Sequence, residues 1–366
     1  MFRIHFPFRD PRKPLLPIAA ACGVGPLPAQ TGIAAGRFRD LMRRAPGLFE
    51  SAPLDGADVV FYPHCFSPGR EVLLTAKLAQ SRELPCIFVK HGDDSAPIPV
   101  PYGIVYKQSI LRSTRLPHER VIPPFVDDPF SAGAVPICLN EYQAIPRVGF
   151  CGFTGSRAML PAYKLLGRGQ KLLGLVMRRK AIRVLTRSRL VAADIIQRRQ
   201  YWGGAVGLTN RRLKLALALA LGRQADVEAT RDEKREAIVY REFLSNMLAS
   251  DYTLCVRGAG NYSYRFYETL AAARVPLFVD SDCVLPFASE INWREHCVWV
   301  SSRDIPAIAE KVLAFHSALG PSRFRELQMA NRQIFEKYFA PVSFYSRMLR
   351  GVTEQTGAPR AEVLHR

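Results

Sequence analysis

YTLCVRGAGNYSYRFYETLAAARVPLFVD, residues 252 to 280, decides the fold. Tyr252 to Val256 is an apolar run of strand length. Arg257 to Tyr262 carries glycines at 258 and 260, Ser263 is well placed to cap a helix running through Ala273, and Val275 to Val279 reads as a second strand. A strand, a glycine loop, a helix and a strand form a βαβ unit, so the two strands lie parallel in one sheet. The loop opens on the helix N-terminus, where backbone N–H groups converge and the helix dipole favours negative charge; diphosphate binding is the physical inference. Arg265 falls in the first helical turn, where a guanidinium can pair bidentately with phosphate oxygens. Glu268 follows three residues later on the same face, placed to accept hydrogen bonds from vicinal ribose hydroxyls. The same spacing equally suits an intrahelical salt bridge.

Working outward, short runs rich in β-branched and aromatic residues recur at Asp58 to Tyr62, Cys86 to Lys90, Gly103 to Tyr106 and Val148 to Phe153, with helical patterns between them. This predicts a parallel α/β protein. At 366 residues the chain suits two domains, and the proline-rich run Pro123 to Pro146 reads as the crossover between them. The expected division is a first lobe over 1–145, a second over 146–335 with a basic helical insertion at 162–223, and a helical tail over 336–366. Asp226 to Leu248 reads as a charged amphipathic helix.

Two other readings use the same residues. Gly258-x-Gly260-x-x-Ser263, with Asp280 twenty residues after Gly260, mimics a dinucleotide fingerprint but lacks its third glycine. It supports an oxidoreductase as the alternative. Asp280, Ser281 and Asp282 resemble a metal-binding Asp-x-Asp, although a solvated turn after a strand explains them as well.

The ordered set Arg257, Gly258, Ser263, Arg265, Glu268, Pro276, Leu285, Pro286 and Phe287, followed by Ile291, Asn292 and Trp293, resembles the signature region of the exostosin-like glycosyltransferases. The likeness is close over residues 257 to 293 and general elsewhere. Where that family commonly has glycine at the helix end, this chain has Ala273. The resemblance implies a GT-B fold, in which two Rossmann-like lobes face a cleft and the C-terminal lobe holds the nucleotide. It also implies a nucleotide-sugar donor, expected to be a UDP-sugar, and no cofactor or metal bridge, because arginines and a helix N-terminus neutralise the leaving diphosphate.

An inverting transfer needs a base, expected from the first lobe. His91 and Asp93, just past the strand Cys86 to Lys90, are the candidates, with a capped turn as the structural alternative. Lys107, Gln108 and Ser109 share that topology with weaker chemistry. His64, after Tyr62 and Pro63, is another candidate base, although a lone histidine in such a turn is usually structural. Arg157, after the turn Gly152 to Ser156, is a further candidate for the donor phosphates.

The charge balance, 51 − 32 = +19, implies attraction to something anionic. Ala162 to Arg223 holds 15 basic residues against Asp194, a local +14. Leucines beside these arginines suit an anionic membrane surface better than nucleic acid, for which no motif is present. The eight cysteines lack metal or redox spacing and read as buried thiols. Prolines interrupt the only stretch resembling a leader, so no export signal is expected. The expected enzyme is a cytoplasmic, peripheral glycosyltransferase acting on a glycan or glycolipid acceptor in cell-surface polysaccharide or lipopolysaccharide synthesis.

Overall fold

A computed structural model describes residues 1–27, 36–130, 136–155, 169–198 and 225–355. Strands β1 (Phe2–His5), β2 (Phe49–Ser51), β3 (Val59–Cys65), β4 (Cys86–Lys90), β5 (Ile104–Lys107) and β6 (Glu119–Val121) form one sheet in the order β2-β1-β3-β4-β5-β6. Every pairing in it is parallel. β3 is a continuous buried run, as expected for a strand covered on both faces. The helix Arg70–Ser81 covers one face with Val72, Thr75, Ala76 and Ala79, spaced three and four apart.

A second parallel sheet contains β7 (Arg147–Phe153), β8 (Ala192–Arg198), β9 (Tyr252–Cys255), β10 (Val275–Asp280) and β11 (Val298–Ser301), ordered β11-β10-β9-β7-β8. Val148, Leu254, Leu277 and Val300 pack there against Leu185, Val312 and Phe324 from the flanking helices. Loops after β4 and β5 touch loops after β9 and β10, so the two sheets present their carboxyl ends to a shared cleft. This is the expected GT-B architecture.

Three expectations change in detail. The segment expected as a helical insertion, 162–223, is described at 169–198, where only Gly169–Arg187 is helical. Its continuation is β8, an edge strand paired with β7 along its whole length. Its composition hid it: Ala192, Asp194 and Gln197 are exposed on an edge strand that keeps part of its side chains in solvent. The crossover 122–146 has no helix or strand among its described residues, yet Phe125 and Val126 are buried, Phe125 edge-on to Phe344 at 5.5 Å. The C-terminal helix Pro341–Gln355 returns to the first lobe, seating Val342, Tyr345, Leu349 and Val352 in the core with Ile4 and Ile87. All eight cysteines are free thiols and five are buried.

Lys107 belongs to this framework and not to the cleft. Its Nζ lies 3.0 Å from Glu119 Oε1 and 2.6 Å from the Ala96 carbonyl, and both charged side chains are 1% exposed. Glu119 also accepts from the Ile98 and Leu116 backbone N–H groups. Replacing one partner strands the other charge in the core, so Lys107→Met should destabilise the protein by about 3–5 kcal/mol. Urea unfolding would show this as a lower midpoint at unchanged slope, and an unchanged midpoint would show that solvent reaches Glu119.

Candidate active site

In chain order the second sheet runs 2-1-3-4-5, so the connections from β7 and β9 leave on opposite sides. A crevice opens between their carboxyl ends, the usual place for a ligand in such a sheet. The 257–262 loop lies there. Arg257 is 4% exposed, its Nη2 donates to the Ala259 carbonyl at 3.0 Å, and its buried Nε has no hydrogen-bond partner. Desolvation lowers its pKa from the ordinary arginine value. The Gly258 N–H closes the loop on the Tyr262 carbonyl at 3.3 Å. A Cβ on Gly260 would stand 2.4 Å from the Tyr262 ring and 2.9 Å from Asp93 Cα, so only glycine lets the two lobes meet there.

The helix Tyr264–Ala271 follows, with Ser263 in extended geometry at its N-cap. Ser263 makes no capping bond through its hydroxyl. Glu268 accepts from Arg265 Nη1, so the intrahelical ion pair forms. Arg265 Nη2 also donates to the Cys151 carbonyl at 2.7 Å, and its guanidinium lies 3.8 Å from the Phe243 ring centroid. Ala273, standing where glycine was expected, adopts φ 53°, the left-handed conformation that favours glycine.

Sequence reasoning missed the groups that pack behind the loop. Arg178 donates to the carbonyls of Phe153 and Arg257, the latter at 3.1 Å. Arg179 reaches Thr154 at 2.9 Å and Gly155 at 2.8 Å. Carbonyl oxygens thus hold both guanidiniums against the loop. A Cβ on Gly174 would sit 2.2 Å from the Gly258 carbonyl, which brings the arginine-bearing helix directly against the loop. The only sequence signal was the basic density of this helix.

From the first lobe, Asp93 touches the glycine loop, whereas His91 pairs with Gln108. Asp93 Oδ1 accepts from the Gly260 N–H at 3.0 Å and from the Tyr262 hydroxyl at 3.2 Å. His91 is half-buried beside Gln108, and desolvation lowers its pKa to about 4. Ser109 Oγ accepts from the Asn261 N–H at 2.9 Å. Arg112 donates to Asp280 at 3.0 Å, and Ser113 Oγ donates to Asp282 at 2.5 Å. Asp280 therefore clasps the lobes together and is not presented to a dinucleotide ribose, which removes the observation behind the oxidoreductase alternative. A cavity of about 420 Å³ adjoins these residues, lined by Arg112, Asp280 to Asp282 and Ser301 to Arg303. His64, 1% exposed, accepts from the Asp10 N–H at 3.0 Å and is structural, as expected. Arg157 lies outside the described residues.

Residues 189–314, from just before β8 into the helix after β11, match the Exostosin GT47 domain. The Exostosin-1 homolog of Caenorhabditis elegans is 30% identical over 107 residues, 29% of this chain and 26% of that protein. Exostosin-1 of Drosophila melanogaster is 29% identical over 106 residues, 28% of this chain and 13% of that one. Exostosin-1a of Danio rerio is 33% identical over 103 residues, with coverage of 28% and 13%. This chain thus spans only 13 to 26% of the length of these relatives. TarM is similar at a TM-score of 0.36 and 12% identity, over 74% of this chain and 50% of that chain. That likeness is too slight to bear on the fold, which rests on the two sheets. The strand, glycine loop and helix of the second lobe all lie within the stretch that is similar to the Exostosin GT47 domain.

Proposed function

We propose that the protein transfers a sugar, with inversion, from a UDP-sugar to a hydroxyl of a glycan or glycolipid in cell-surface polysaccharide synthesis. The observation that carries this reading is the buried Arg257 guanidinium, its Nε without a hydrogen-bond partner, in a glycine loop backed by carbonyl-held Arg178 and Arg179. Positive charge fixed in place before the reaction is what a departing nucleoside diphosphate needs. The donor diphosphate would take the N–H groups from Gly258 to Ser263, with Arg257 and Arg265 as charged partners, and Glu268 would accept from the ribose.

Asp93 holds the Gly260 N–H. A diphosphate taking that N–H would displace the carboxylate toward the acceptor. The acceptor oxygen would then attack the anomeric carbon, the bond to the diphosphate oxygen would break with its electron pair, and Asp93 would receive the acceptor proton. Asp93 is the better assignment because its carboxylate already meets the glycine loop at the Gly260 N–H. Because arginines and the helix N-terminus carry the leaving-group charge in this scheme, no metal is required. For the membrane, Leu173 and Val176, 41% and 45% exposed on the basic helix, favour docking on an anionic inner surface, whereas Leu213 to Leu221 lie outside the described residues. No helix among the described residues is long and apolar enough to cross a membrane.

Removing one charge-assisted contact costs about 1.5–3 kcal/mol, so Arg265→Ala should weaken UDP binding by one to two orders of magnitude. Calorimetry of the folded variant tests it, and unchanged affinity would remove Arg265 from the phosphate site. Glu268→Ala should weaken UDP more than pyrophosphate; equal losses would argue against ribose as its partner. Transfer should also persist after exhaustive chelation, and loss of turnover rescued by Mn²⁺ would instead bring Asp280 and Asp282 into the chemistry. His91 supplies a pH test. Its lowered pKa means the unfolded chain takes up the proton first, so stability is full above about pH 6.5 and falls as the pH drops toward 4. His91→Gln should flatten that part of the urea-midpoint profile, and an unaltered slope would show that His91 titrates normally.

A further inference from the structure

The helix Arg70–Ser81 buries Val72, Thr75, Ala76 and Ala79 against the first sheet. Arg70, Leu73, Leu74 and Lys77 form its opposite face at i, i+3, i+4 and i+7, and all four are exposed. Leu73 is 51% and Leu74 37% exposed. A solvated helix face is ordinarily polar, so neighbouring leucines framed by a base at each end mark a surface that meets a partner.

The loop after β1 extends that surface. Lys13 Nζ lies 2.6 Å from Glu71 Oε2, which brings the loop against the first turn of the helix. Arg9, Arg12 and Lys13 are exposed in it, as is Phe8. Over residues 8–13 and 70–77 five bases face two acids, 5 − 2 = +3. Both acids are already paired, Asp10 with Arg12 at 3.1 Å and Glu71 with Lys13. Charge and apolarity together define the partner. Leucine and phenylalanine can enter the headgroup layer of a bilayer while arginine and lysine meet its phosphates, whereas leucines at the centre of the face offer nothing to a nucleic-acid backbone. The surface also lies beside the cleft. The helix starts from the carboxyl end of β3, where the Phe66 N–H donates to the Val89 carbonyl at 2.7 Å and the Phe66 carbonyl accepts from Lys90 Nζ at 3.2 Å. Asp93 is three residues beyond Lys90.

We infer that the face of Arg70, Leu73, Leu74 and Lys77, with the loop after β1, docks the first lobe on an anionic bilayer. This surface is separate from the basic helix of the second lobe that bears Leu173 and Val176. Docking by the sheet edge that carries Asp93 favours an acceptor borne on a lipid over a free glycan, and in that respect alone the inference rests on the proposed transfer.

Co-sedimentation of the full chain with vesicles of phosphatidylcholine, alone or mixed with phosphatidylglycerol, tests it on the wild type, Leu73→Ser/Leu74→Ser, Arg70→Gln/Lys77→Gln and Leu173→Ser/Val176→Ser. The wild type should partition onto the mixed vesicles and leave the neutral ones. Each base near an anionic surface is worth about fivefold, so Arg70→Gln/Lys77→Gln should lower that partition about tenfold or more at low salt. Leu73→Ser/Leu74→Ser should remove the fraction that stays bound at high salt. All four side chains are exposed, so the urea midpoint should stay near that of the wild type. Equal partition of the wild type onto both vesicles would overturn the inference. So would full partition in both variants of this helix, whether the binding is then lost in Leu173→Ser/Val176→Ser or kept. If Leu73→Ser/Leu74→Ser instead leaves partition unchanged and turns a dimer into a monomer by light scattering, a second copy of the chain covers the face and the inference fails. No nucleotide is present, so failure here leaves the UDP reading standing, and absence of UDP binding leaves the docking result unaffected.

Discussion

The site depends on the side chain and backbone of Asn261, 1% exposed at the turn of the glycine loop. Its Nδ2 donates to the carbonyls of Ile110 and Asp282, each at 3.0 Å, and its Oδ1 accepts from Ser281 at 2.7 Å. Its N–H reaches Ser109 Oγ. One amide therefore ties the loop after β5 in the first lobe to the loops after β9 and β10 in the second. In a buried setting, each lost partner leaves an unsatisfied group behind, so these bonds act together and hold one geometry. The peptide plane between Gly260 and Asn261 is held by this network, next to the Gly260 N–H that Asp93 accepts.

Around that fixed loop the chain arranges charge asymmetrically. Carbonyl oxygens orient the guanidiniums of Arg178, Arg179 and Arg257, while Arg265 is shared between the Cys151 carbonyl and its ion pair with Glu268. Carboxylates are instead spent on holding the lobes: Asp280 on Arg112, Asp282 on Ser113, and Asp93 on the loop itself. The Asp93 contact is the one that a diphosphate would replace, which links donor entry to the freeing of a base. The Lys107 and Glu119 pair keeps its charges out of this balance by burying both.

Much of this was legible in the sequence, and the reasons for success and failure are physical. β3, β4, β7, β9 and β10 are apolar runs because both faces of a parallel strand are covered, and they were located to within a few residues. β1 and β2, four and three residues long, are too short to carry a pattern, and the edge position of β8 lets Asp194, Gln197 and Arg198 into a strand. The glycine loop and Ser263, Arg265 and Glu268 were readable because a strand, loop and helix form a local unit. Spacing alone left open whether Arg265 and Glu268 pair, and they do. Ser109 and Arg112 gave no local signal, since their surroundings are assembled by contacts spanning more than a hundred residues of chain.

The central claim is that a nucleoside diphosphate binds at the crevice between β7 and β9, on the N–H groups of the glycine loop. Backbone amide resonances of the ¹⁵N-labelled protein, followed as UDP is added, test it most directly. The account predicts large, saturable shifts at Gly258, Gly260, Asn261 and Ser263, with an accompanying shift at Asp93 as its carboxylate leaves the Gly260 N–H. Saturable shifts confined to Ser301 to Arg303, with the glycine loop and Asp93 unmoved, would place the nucleotide at the ends of β10 and β11 and contradict it.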